Sequence, residues 1–170
     1  MGLPLSTTKV PADRSIQEII KFLDEVGFEQ TAQVRDRDDK VVFGHWRGLN
    51  FQWKINTKKV VDALLDESGE TIKNWIRYGD KRGNKHIDEI NRKAERIAWR
   101  VIRDQVRATV ISIKYGIMEP LHGFAGYLMI EDPNGNRMDM ASLLTQAASQ
   151  GTLNSPDMIR PALTIDSGKK

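Results

Sequence analysis

The chain has no cysteine. Disulfides, thiolate metal centres and cysteine nucleophiles are thereby excluded, and the composition fits a reducing compartment. No apolar run approaches the ~18 residues that a membrane span requires, and Met1–Val10 lacks a charged start followed by an apolar core. The expectation is a soluble cytoplasmic protein with no membrane partner. The three histidines, His45, His86 and His122, stand far apart and show no metal-ligand spacing. GxxxxGK followed by Ser or Thr, GxSxG and HExxH are all missing. Asp36, Asp38 and Asp39 read as a charged turn between strands, while Glu131, Asp132 and Asp139 lack the full order of a calcium loop. No cofactor or metal is expected, and nothing in the residues supports an enzyme.

What is present is a local excess of positive charge. The 170 residues carry a net charge of only +3, with a sequence pI near 9.2. Lys plus Arg against Asp plus Glu stands at 12 to 13 over residues 1–80, 10 to 4 over 81–115 and 4 to 6 over 116–170. The excess therefore sits in one stretch, as expected of a site for a polyanion.

That stretch contains the longest helical pattern, from about His86 to Tyr115. At 100° per residue, Arg92, Arg96, Arg100, Arg103, Arg107 and Lys114 fall within an arc of roughly 80°. Ile87, Ile90, Ala94, Ile97, Val101 and Ala108 fall opposite. Arginine outnumbers lysine on the basic side, and its planar fork suits phosphate. The plainer reading is a solvated face, with Asp88–Arg92, Glu89–Lys93 and Arg100–Asp104 paired four residues apart. A second apolar flank, Trp99, Ile102, Val106 and Ile113, can bury against the same chain or against another copy, so a homo-oligomer is one expectation.

The remaining elements give an α+β class. Residues 1–12 read as an extended arm. Ser15 and Glu18 have capping-box spacing for a helix over 15–26, which Gly27 stops. Alternation predicts strands at Gln30–Val34, Val41–Trp46 and Phe51–Ile55, the last two joined across Arg47-Gly48-Leu49-Asn50. A second helix, Lys58–Leu65, is expected to cover the apolar side of that sheet with the first. This makes residues 1–65 an α-βββ-α unit, 66–86 a polar connecting excursion with a short helical piece at Thr71–Tyr78, 87–150 a helical half and 151–170 a loosely held tail. Within 87–150, Pro120–Ile130 is a helix or a buried extended run, Asp132-Pro133-Asn134-Gly135-Asn136 a turn and Met138–Ala148 a helix.

The TTKVPADRSIQEI opening, the hairpin ending in NFQWKIN, and NRKAERIAWRVIRDQVRATVISIKYGIM followed by DPNGN resemble a group of small proteins encoded in phages and prophages. The likeness covers most of residues 7–145. It implies a viral or mobile-element origin and action inside a bacterial host cell, and carries no activity or functional residues with it.

The expected function is non-catalytic nucleic-acid binding, with DNA or RNA backbone held by Arg92, Arg96, Arg100, Arg103 and Arg107. Lys81, Arg82 and Lys85, in a Gly-containing loop before the helix, add to that surface. Trp75 is the candidate for stacking on bases; Trp53 reads as core, Trp99 as a seal for the helix, and Trp46 is undetermined. The alternative is a protein-binding module, acting on a host or phage protein complex such as a CRISPR-type defence complex.

Overall fold

The computed structural model describes residues 9–36, 39–131 and 136–150. In chain order they form helix α1 (Ala12–Asp24), strands β1 (Gln30–Asp36), β2 (Asp39–Trp46) and β3 (Leu49–Lys54), and helices α2 (Lys58–Glu67), α3 (Glu70–Arg77), α4 (Lys81–Lys114) and α5 (Pro120–Phe124). A 3-10 turn at Ala125–Tyr127, strands β4 (Met129–Glu131) and β5 (Arg137–Asp139), and helix α6 (Met140–Gln150) follow. The α+β expectation holds. Among the described residues no helix is long and apolar enough to cross a membrane.

Helix α1 begins three residues before the expected Ser15. Pro11 supplies an extended entry (φ −60°, ψ 146°), and the Ser15 amide donates to the Pro11 carbonyl. Ser15 therefore lies inside the first turn, fully buried beside Ile16 and Ile19, and caps nothing. Gly27 takes φ 86°, which lets Gly27 N–H reach the Asp24 carbonyl and Phe28 N–H reach that of Leu23. This closure turns Phe28 back into the core.

The three antiparallel strands run in the order β1-β2-β3, with Val42 opposite Trp53 and Gly44 opposite Phe51. A Cβ on Gly44 would lie 2.7 Å from Phe28 Cδ1, so the missing side chain is the slot that Phe28 fills. The β2–β3 turn is shorter than expected. Arg47 and Gly48 alone make it, both at positive φ (48° and 80°), and Leu49 and Asn50 already pair in β3. Phe28, Phe51, Trp53, Phe124 and Tyr127 then pack ring on ring at centroid distances of 5.4–6.2 Å.

The sheet's apolar side is covered by α1, by Trp99, Val106 and Val110 of α4, and by Phe124. Helix α2 does not share that task, contrary to expectation. Its Leu64, with Val60 and Val61, packs instead on Ile90, Ala94 and Ile97 of α4, forming a second, smaller core. A helix needs only one apolar stripe covered, and α4 offers α2 a closer one than the sheet does.

The stretch read as a polar excursion over 66–86 is helical. Helix α2 continues to Glu67, α3 follows, and Gly79 (φ 67°) closes α3 with Gly79 N–H on the Ile76 carbonyl and Asp80 N–H on that of Trp75. Asp80 then caps α4 by accepting from the Arg82 amide at 2.8 Å, so the long helix starts at Lys81 rather than His86. The expected helical half also contains sheet: β4 pairs with β5, and Leu128 bridges to Phe51 at the edge of β3. Pro120–Ile130 is helix at its start and extended at its end. Of the expected arm over 1–12, residues 1–8 lie outside the described residues and Ala12 already belongs to α1; residues 132–135 of the expected turn over 132–136 and the tail over 151–170 also lie outside them.

Helices α3 and α4 meet at Gly83, where a Cβ would lie 2.6 Å from the Trp75 backbone carbonyl. Helix propensity alone favours Ala over Gly by about 1 kcal/mol. Because the opposing atoms are backbone, Gly83→Ala should nonetheless destabilise the protein, by about 1–3 kcal/mol in urea unfolding. A gain in stability would show that α3 does not pack as described.

Candidate nucleic-acid interface

Helix α4 does not bury one face along its length. On a helical wheel, Ile90, Ala94 and Ile97 point in one direction, whereas Trp99, Val106 and Val110 point roughly 170° away. All of these but the half-buried Ile90 are buried. The crossover falls between Ile97 and Trp99, as the helix passes from α2 to α1 and the sheet. The arginine arc lies on the open side of the first half and at the margin of the core in the second.

The stripe is therefore split. Arg103, at that margin, is only 12% exposed; it donates to Glu18 of α1 at 2.7 Å and also bonds Asp104. Arg100 stands 3.9 Å from Asp104, and Lys114 reaches Glu25, the residue that caps the end of α1, at 2.5 Å. A further tie is Lys40 of β2, 3.0 Å from both Asp13 of α1 and Glu95 of α4. These contacts fasten α1 to the long helix.

The other cations of the arc, Arg92, Arg96 and Arg107, and Lys93 beside them, have no carboxylate partner among the described residues. Arg92, Lys93 and Arg96 line one shallow depression with Glu89 and Ile90. Arg92 is exposed and donates only to the Asp88 carbonyl at 3.3 Å; Arg96 is half-buried, its Nε without a partner; Arg107 is exposed. The early start of α4 changes the reading of the preceding residues. Lys81 and Lys85 are on the helix, exposed, and their wheel positions fall roughly in line with Arg92 and Arg96. Arg82 is different, since it pairs with Asp80 at 2.9 Å.

The tryptophans are less available than the basic groups. Trp53 and Trp99 are fully buried. Trp46 is half-buried beneath the Arg47 guanidinium, 4.9 Å from the ring centre. Trp75 is also half-buried: Arg82 lies 4.6 Å from its ring centre, and His86 stacks on it at 5.9 Å. The exposed aromatic of this region is Tyr78, 80% accessible at the α3–α4 turn. Neither Tyr78 nor Lys93 was singled out by sequence. The Gly79-Asp80 stop-and-cap pair is the signal that locates Tyr78 on an exposed corner.

Among the described residues no group of three or more His, Asp or Glu could hold a metal ion. No protein-family model, curated protein or solved structure matches the chain.

The Arg103 hydrogen bond holds the Glu18 carboxyl below the usual carboxylate range, and Lys40 and Lys114 do the same for Asp13 and Glu25. Groups with a depressed folded pKa contribute stability above their unfolded values, roughly 3.9–4.3, which is lost as pH falls through the folded ones. Thermal unfolding should therefore show the α1–α4 attachment weakening below about pH 4. Glu18→Gln should lower stability near pH 7 by about 1 kcal/mol, reduced from the full value by solvent around Glu18, and flatten the acid dependence. Identical pH profiles for variant and parent would contradict this role for the pair.

Proposed function

We propose that this protein is a non-catalytic nucleic-acid-binding accessory protein that holds DNA or RNA by its backbone along α4. The observation that carries the reading is that Lys81, Lys85, Arg92, Lys93, Arg96 and Arg107 lie on one 34-residue helix with no carboxylate partner among the described residues. Such a helix is about 50 Å long, so a series of phosphates can be met by successive turns. Phosphate contacts of this kind give affinity with little sequence preference. Tyr78, beside Lys81, offers a ring on which an unpaired base can stack.

Arg103 has a different part in this reading. Its guanidinium is engaged by Glu18 and Asp104, so it fixes the helix against α1 rather than meeting phosphate. Arg100 and Arg82, each near a carboxylate, contribute less than the unpaired groups. The resemblance to small phage and prophage proteins supports placing this action in the cytoplasm of a bacterial host.

Fluorescence anisotropy with labelled single- and double-stranded oligonucleotides across a salt series tests the proposal. With four to six phosphates neutralised, log Kd should rise with log salt at a slope of about 3–5. Changing Arg92, Arg96 and Arg107 together to Glu should abolish binding and preserve helicity. Arg103→Gln should lower stability while weakening binding less than twofold. No binding by the parent at low salt, or equal binding by the triple variant, would overturn the proposal.

A further inference from the structure

Ile87, Ile90, Ala94, Ile97, Val101, Asp104, Ala108, Ile111 and Tyr115 follow one another in alternating steps of three and four, a continuous 3.5-residue seam along α4. Helix α2 covers its first half, at Ile90, Ala94 and Ile97. Beyond the end of that contact the seam is open, and apolar except at Asp104, which is tied to Arg103 and Arg100: Val101 is 49%, Ile111 45% and Tyr115 80% exposed, and Ile117 just past the helix 73%. Ala108 is exposed between them and is small enough to admit a close helix. The open half runs about 20 Å, four turns.

Charge along its edges identifies what fits. Arg100, Arg107 and Lys114, seven residues apart, border one side, and Ala98, Gln105 and Ser112 border the other. Arg107 has no ionic partner among the described residues, while Arg100 and Lys114 are partly offset by Asp104 and Glu25. A second copy of the chain meets like charge in either orientation. In parallel, Asp104 faces Asp104; antiparallel about Ala108, the basic rows lie alongside each other. The chain's own residues 151–170, with three basic and two acidic groups, do not complement the basic row.

We propose that Val101–Tyr115 is a docking surface for an amphipathic helix of another protein, apolar at its seam positions and acidic along the flank that meets Arg100, Arg107 and Lys114. It would pack on α4 as α2 does, one helix further along. This surface shares Arg107 with the cations proposed to meet phosphate, lies on the other side of the helix from Arg92 at Val101, Ala108 and Ile111, and is tested without nucleic acid.

The test uses the full chain and two labelled helical peptides of about 18 residues, both with Leu at the seam positions, one with Glu and the other with Lys at the flanking positions. The acidic peptide should bind at least tenfold more tightly than its basic twin. Ile111→Glu, at an exposed position, should weaken it at least tenfold, and Val101→Ser several-fold, with circular dichroism unchanged. Arg107→Glu should shift preference toward the basic peptide. Equal binding of the two peptides, binding by neither, or insensitivity to Ile111→Glu would overturn the proposal. So would a dimer in sedimentation velocity that Ile111→Glu dissociates, since a second copy would then be the occupant.

Discussion

The change of buried face in α4 is the constraint on which the rest of the structure depends. One helix serves two cores, meeting α2 through Ala94 and Ile97, then α1 and the sheet through Trp99, Val106 and Val110. A straight helix has no freedom to turn its side chains, so the sequence must place apolar groups on both faces and switch which of them is covered. Everything left outside the two contacts is accessible by default. In the first half that is the basic face; in the second it is the continuation of the stripe that α2 had covered.

The same switch sorts the arginines. They share an arc, yet Arg103 comes within reach of Glu18 because the core-facing side has swung next to it, whereas Arg92 stays in solvent because the core there lies across the helix. Ionic partners thus follow from packing, and a basic stripe on a wheel is not a uniform surface. Lys40, Arg103 and Lys114 work as ties between elements, each meeting an acid on α1 or, for Lys114, at its C-terminal cap. The groups proposed to meet phosphate are those that packing leaves without such a tie.

The α+β class, the order of helix, three strands and long helix, and the aromatic face of β3 were legible because each depends on local periodicity. What escaped was decided by partners distant in sequence. No local pattern tells that α2 packs on α4 rather than on the sheet, since Val60, Val61 and Leu64 form an acceptable stripe for either. Val101 and Ala108 continue the apolar stripe of Ala94 and Ile97, and only the end of α2 leaves them open. Starts and stops were partly readable: Gly27 ends α1 as expected, but the Ser15–Glu18 spacing misplaced its beginning because Pro11 provided an earlier entry. The Gly79-Asp80 pair marks the true start of α4, but the polar residues around it carry no apolar period to announce a helix.

The absence of native cysteine makes the central claim directly measurable, since any introduced thiol is the only one in the chain. Single substitutions Ala94→Cys, Val101→Cys, Val106→Cys and Ala108→Cys report on the two faces of α4 before and after the crossover. Modification by a thiol reagent under native conditions should be slow at 94 and 106 and fast at 101 and 108. Protection at 101 and 108 equal to that at 94, with rapid reaction at 106, would mean that α4 buries a single face throughout, and would contradict the account.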